Sequence, residues 1–199
     1  MRTSRNKNAL KQQRDQLATY RRFLPSLDLK RQQLLAAWKS ARVQRAAAEA
    51  DLRAEEDAIS GVLSLLGSST LPSCDLASLI RVETVRVTQE NIVGTRVPRL
   101  EAIHFSRADY STLALPFWVD LLLDALQRVA EKRWRLLTAR QREAKIAEAS
   151  RKITQRVNLF EKVLIPDARR NIKSIRVALS DEERAAVVRS KLAKRKHQR

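Results

Sequence analysis

The chain has 199 residues, with 40 Lys and Arg against 22 Asp and Glu for a formal net charge of +18, yet only three glycines, five prolines and 5% aromatic residues. So few turn-formers and aromatics exclude a wide globular core and leave long helices closed by a thin seam of Leu, Ala and Val. A charge of this size predicts an anionic partner, whether nucleic acid, an anionic membrane surface or an acidic protein.

The charge is unevenly placed. Lys and Arg set against Asp and Glu give +10 for residues 1–45, −4 for 46–60, 0 for 61–117, +5 for 118–165 and +7 for 166–199. Both ends are basic and the middle is not. The single cysteine, Cys74, has no partner for an internal disulfide, and no apolar run with a cleavage site opens the sequence, so a reducing, cytoplasmic setting is expected. The most apolar window, LALPFWVDLLLDAL, carries Asp120 and Asp124 and is too short and too charged to span a bilayer.

Residues 1–66 read as one helix. A seven-residue column runs Leu10, Leu17, Leu24, Arg31, Trp38, Arg45, Leu52, Ile59 and Leu66, and a companion three residues later adds Tyr20, Leu27, Leu34, Ala41, Ala48 and Val62. This is the a/d spacing of a coiled coil. It holds phase across Pro25, which predicts a kink and not an end, and at 1.5 Å per residue roughly sixty residues span about 90 Å. Gly67 follows as the expected cap, then SSTLPSCD as loop. In the connecting segment, 67–115, RVETVRVTQENIVGTRVPRLEAIHF carries alternating valines, a polar QEN turn and a lone Gly94, which predicts a short β-hairpin.

A second helix is expected over 116–199, with Pro116 in its tolerant first turn. In RVNLFEKVLIPDARRNIKSI the apolar positions Ile153, Val157, Leu164, Ala168, Ile175 and Leu179 are spaced 4, 7, 4, 7, 4, with Phe160 and Ile172 on the flanks, so the stripe enters and leaves Pro166 on one face. An internal proline costs about 3 kcal/mol, and two or three buried Leu or Ile at roughly 1.5 to 3 kcal/mol each offset it. A kinked but continuous helix is the expectation, with a straight or slightly right-handed local seam.

Two such helices joined by a compact middle fold back antiparallel. The fold class predicted is therefore all-α dominated: a long antiparallel two-helix coiled-coil hairpin with a short β-hairpin in the connecting segment. Its register sets Pro25 opposite about residue 158 and Met1 opposite about residue 182, so roughly the last seventeen residues overhang as a single helix. Both basic ends then share one tip. The tip cations are Arg2, Arg5, Lys7, Lys11 and Arg14 from the first helix, and Arg184, Arg189, Lys191, Lys194 and Arg195 from the second.

Reactive constellations are missing from the sequence. Glycines at 61, 67 and 94 build no Walker loop, His104 and His197 have no ligand-spaced companions, and Cys74 lacks a local activating base or cationic helix start. Asp120 and Asp124 lie one turn apart in the first turns of a helix, where negative charge complements the macrodipole. Trp38, Trp118 and Trp134 read as packing residues, with contact to a base or a partner the alternative for Trp134 in AEKRWRLL. No catalytic, cofactor-binding or metal-ligating residue is expected.

Four stretches carry a resemblance: RRFLPSLDLKRQQLL in the first helix, ENIVGTRVPRLE in the middle, TQRVNLFEKVLIPDARRNIKSI in the second helix and the following LSDEER. With the helix, hairpin, helix order they cover nearly the whole chain, and it resembles the D-subunit family of V/A-type rotary ATPases in a bacterial form. That family also runs its C-terminal helix through a proline at this place. The resemblance implies a non-catalytic central-stalk rotor whose paired termini enter the pore of the catalytic A and B subunits. It further implies a shaft that binds the small rotor F subunit and a lower end seated on a C/d-type stalk subunit above the membrane ring. Such a rotor works peripherally, on the cytoplasmic side of the membrane, associated with it only through the complex and with no direct nucleic acid. The chain departs from the family in carrying more arginines and fewer acidic residues after the proline block. Two other classes compete. A basic coiled coil that binds nucleic acid fits the 28 arginines and 12 lysines but shows no recognised module. A stalk protein of a flagellar-type export ATPase is also a coiled-coil hairpin, but lacks the β-hairpin.

Overall fold

The computed structural model describes residues 6–67, 79–109 and 118–197. In chain order these form α1 (Lys7–Gly67), β1 (Ile80–Ile92), β2 (Thr95–Arg107), α2 (Trp118–Leu159), a π turn (Phe160–Leu164) and α3 (Ile165–His197). The fold is helical with a two-stranded antiparallel hairpin in its middle, as the heptads and valines predict. It divides into two compact units, one of Met1–Gln32 with Arg151–Arg199 and the other of Gln33–Ser150. The expected SSTLPSCD loop, Pro116, Arg2 and Arg5 lie outside the described residues.

Helix α1 starts where Asn6 supplies an N-cap: its Oδ1 accepts the Ala9 N–H at 2.7 Å, which satisfies one of the helix's orphan donors. The helix runs through Pro25 without interruption and ends on Gly67. Helix pairing in both units is antiparallel. Gln13 bonds Asn171 and Tyr20 meets Phe160 in the first unit, while Arg45 bonds Glu143 and Arg128 bonds Glu55 in the second, so one number climbs as its partner falls.

In the second unit the main core gathers Leu52 and Ile59 of α1 with Trp118, Val119, Leu122, Leu123, Ala125, Val129 and Leu136 of α2. A smaller core joins Ala41 of α1, Ile146 of α2 and Val97 of β2, with Trp38 and Ile92 packed against it. The hairpin is thus laid against the helix pair. Its base is held by Arg107, which donates to Asp124 at 2.5 Å and Gln127 at 2.7 Å, and the turn end by Arg142 on Glu90 at 2.8 Å.

The hairpin turn is not at the polar Gln89–Asn91, which lie inside β1. It is the two-residue Val93–Gly94, with φ of 51° and 80°. Two consecutive left-handed residues make the turn that matches strand twist, and Gly94 takes its place there at little steric cost. Val93 does not, since a β-branched residue in that region clashes with its own backbone. Burying Ile92 and Val97 against the helices fixes the register and overrides composition. Val93→Asn is expected to raise stability by about 1 kcal/mol, read as a shift of the urea midpoint at unchanged slope.

In the first unit the buried residues of the second helical segment are Ile153, Val157, Ile165, Ala168, Ile172 and Ile175, at steps of 4, 8, 3, 4, 3. One step is a residue too long for a heptad seam, and it brackets the π turn. A π turn inserts one extra residue, so Phe160–Leu164 absorbs the surplus and returns the downstream stripe to the seam. The Ile165 N–H accordingly reaches back five residues to the Phe160 carbonyl. The wide turn lies just ahead of Pro166, whose ring in a regular α-helix would strike the carbonyl of Lys162. The surplus that an eleven-residue period would spread along the helix is concentrated in one turn. Ile165 and Ile172 are buried, while Leu164 and Leu179 are half-buried.

Candidate partner-binding surfaces

In the first unit, Lys7, Lys11 and Arg14 of α1 and Arg184, Arg189, Lys191, Lys194 and Arg195 of α3 are all exposed. The pairing of Gln13 with Asn171 brings the start of α1 beside α3, and residues 181–196 of α3 are exposed on every side. Among these cations only Arg184 has a carboxylate nearby, Asp181 at 4.0 Å, with both side chains mostly in water. Among the described residues nothing neutralises the rest. Arg2 and Arg5 lie outside the described residues.

The seam residues divide by unit. Leu10, Leu17 and Leu24 are half-buried, and beside them Tyr20 stacks edge-on against Phe160 with centroids 5.4 Å apart. Ile153, Val157 and Ile175 are buried in the same unit. In the other unit Leu34, Leu52 and Ile59 are buried, and Trp38 is half-buried under the Arg42 guanidinium at 6.0 Å. Pro25 is exposed and Pro166 half-buried. Sequence reasoning missed Ile146 and Val97, two of the most buried side chains. The first lies on the inward face of α2, whose periodicity would find it; the second depends on where the hairpin docks.

Between α1 and α2 of the second unit runs a ladder of ion pairs. Glu55 takes Arg128 at 2.5 Å, Glu56 takes Arg133 at 3.0 Å, Asp51 takes Lys132 at 3.7 Å, Glu49 takes Arg140 at 3.3 Å and Arg45 takes Glu143 at 2.6 Å. The acidic block at 46–60 is thereby explained: it faces the basic stretch of α2. Each exposed pair contributes only about 0.2–1 kcal/mol. Together they favour the facing of this acidic block with the basic stretch of α2.

The family model for the D subunit of ATP synthase matches residues 9–195. The V-type ATP synthase D subunit of Borreliella burgdorferi is 36% identical over 190 residues, covering 94% of this chain and 91% of that protein. The chain belongs to the ATP synthase D-subunit family. The V-type ATP synthase D subunits of Chlamydia felis and Chlamydia trachomatis serovar L2 (strain ATCC VR-902B / DSM 19102 / 434/Bu) are 33% and 32% identical, each over 96% of this chain.

Among the described residues no three His, Cys, Asp or Glu side chains are grouped to hold a metal, and no helix is long and apolar enough to cross a membrane. Asp124 is occupied by Arg107, and Asp120 also has a partner. Trp118 is core, and the Trp134 carbonyl accepts the Thr138 hydroxyl at 2.9 Å. Exposed among the described residues are the cations of the first unit and, on the hairpin, Arg81, Arg86, Arg96 and Arg99.

Proposed function

We propose that this chain is the central-stalk rotor of a V-type ATP synthase, transmitting torque between the catalytic A and B subunits and the membrane ion-translocating ring. It has no catalytic site of its own and takes no cofactor. ATP hydrolysis in the A and B subunits turns it to pump ions, or ion flow turns it to drive ATP synthesis. The observation that carries this reading is the D-subunit family match over residues 9–195, on a chain whose helices pair antiparallel in both units. A helix pair stiffened by a buried seam resists twist, and stiffness is what torque transmission asks for.

In this reading the cations of the first unit, Lys7, Lys11, Arg14, Arg184, Arg189, Lys191, Lys194 and Arg195 together with Arg2 and Arg5, enter the pore of the A and B subunits. The small F subunit binds along the shaft, and a C/d-type stalk subunit holds the lower end. The chain sits peripherally on the cytoplasmic side of the membrane through these contacts. The three segments 1–66, 67–115 and 116–199 act as first shaft helix, connector and second shaft helix.

Truncation after Glu182 tests the assignment. The shortened chain is expected to keep its complex with the F subunit, measured by co-purification, and to lose coupling, measured as ATP hydrolysis without ion uptake in reconstituted vesicles. Unchanged coupling would rule the exposed end of α3 out of the rotor contact.

A further inference from the structure

The two helices paired in the first unit each carry a gap in their hydrogen-bond ladder, and the gaps are neighbours. In the π turn the Ile165 N–H is on the Phe160 carbonyl, and the residue after it is a proline without an N–H. The Glu161 carbonyl therefore loses both ladder donors, the one four residues on and the one five residues on. In α1, Pro25 deprives the Arg21 carbonyl of its donor in the same way. Near it the hydroxyls of Thr19 and Ser26 donate to the carbonyls of Asp15 and Phe23, each at 2.8 Å. Hydroxyls turned back onto the ladder weaken and bend a helix.

The contact of Tyr20 with Phe160 sets the level of the two gaps. Pro25 lies five residues beyond Tyr20 and Pro166 six beyond Phe160, and because the helices run antiparallel the prolines stand on opposite sides of that contact. At 1.5 Å per residue they bracket a stretch of roughly 17 Å, about three turns. Within it the unbroken ladder of one helix faces the gap of the other, so the pair stays helical throughout. Little packing stiffens the stretch: no residue of the π turn is buried, and Phe23, Leu159 and Val163 are about half exposed. The buried seam residues nearest the turn are Val157 before it and Ile165 after it.

We propose that this stretch is a compliant joint of the helix pair, where the second helical segment takes up twist by exchanging five-residue for four-residue hydrogen bonds around the Glu161 carbonyl. The two bonding patterns wind a helix by different amounts per residue, so moving a bond between them turns α3 about its own axis. In a plain α-helix such a turn breaks bonds already made. Here a carbonyl without a ladder donor stands ready to receive one. The prolines keep the joint in place, since a gap cannot be closed by shifting the ladder onto a residue that has no N–H. The joint is a property of the chain by itself, and the rotor reading only gives it a load. A π turn whose sole role was to clear the proline ring would be as stiff as the helix on either side.

Hydrogen exchange of the full chain, resolved by residue, tests it. The amides of residues 161–165 are expected to exchange at least about tenfold faster than those of 153–157 and 172–176. Deleting Glu161 together with Pro166→Ala makes the step from Val157 to Ile165 seven and the ladder continuous, and is expected to remove that difference. Spin labels at Arg156 and Lys173, both exposed and on either side of the turn, read the geometry. In a Cys74→Ser background their distance distribution is expected to narrow about twofold in the same double variant. Exchange at 161–165 no faster than in the flanks overturns the proposal from the parent chain alone, whether or not the variant folds. A distribution equally wide in parent and variant also overturns it and leaves the turn a rigid accommodation of the proline. Either failure leaves the rotor reading untouched, because neither measurement uses the A and B subunits.

Discussion

Ile146→Ala is expected to lower the unfolding free energy by about 2–5 kcal/mol, the cost of removing a fully buried aliphatic side chain and leaving a partly unrelaxed cavity. Ile146 is 0% exposed and lies in the small core of Ala41 and Val97, with Ile92 and Trp38 packed against it. Its truncation therefore strikes two interfaces, the α1–α2 seam and the seat of the hairpin. Chemical denaturation reads the global loss. Hydrogen exchange over β1 and β2 reads the local one, and protection there is expected to fall more than the global stability does.

The second large effect concerns the π turn. Deleting Glu161, an exposed residue inside it, makes the step from Val157 to Ile165 seven, so a plain α-helix would keep the seam in phase. That helix would then drive the ring of Pro166 into the carbonyl four residues back, at about 3 kcal/mol. The single deletion is expected to lose roughly that much, and the deletion combined with Pro166→Ala is expected to recover most of it. Pro166→Ala alone leaves the eight-residue step and hence the π turn in place. Thermal unfolding of the three variants separates the contributions. If the deletion alone were neutral, the turn would not be what accommodates the proline.

These experiments bear on what the sequence made legible. The heptads of α1 are readable because Leu34, Leu52 and Ile59 fall at strict intervals that only one face of a helix collects. The antiparallel register follows from helix lengths and the position of the connector. The π turn is harder. Steps of 4, 7, 4, 7, 4 through Leu164 and steps of 4, 8, 3, 4, 3 through Ile165 are both apolar paths along the same residues, and periodicity alone does not rank them. The presence of Pro166 just past the long step is the discriminating clue, since a wide turn relieves its clash. The hairpin turn failed for another reason: Val93 is a poor residue for a left-handed position, so local preference pointed to Gln89–Asn91, and the docking of Ile92 and Val97 decided otherwise. The basic surface was visible as composition, but its division into one unit with 24 Lys and Arg against 7 Asp and Glu and another with 16 against 15 needed the fold, because residues 1–32 and 151–199 are brought together only by pairing.

Among the described residues the hairpin is a two-stranded sheet, so each strand has one edge that no further strand pairs. Val82 and Val87 of β1 are exposed, which on a flat ribbon would invite stacking of one molecule on the next. The strand breaks its register beside each of them, between Val82 and Thr84 and between Arg86 and Val87, and Arg81 and Arg86 stand alongside. Irregular pairing and guanidinium groups are how natural sheets discourage growth at a border. The two register shifts, with the guanidinium groups beside them, thus discourage a second extended chain from adding to this ribbon.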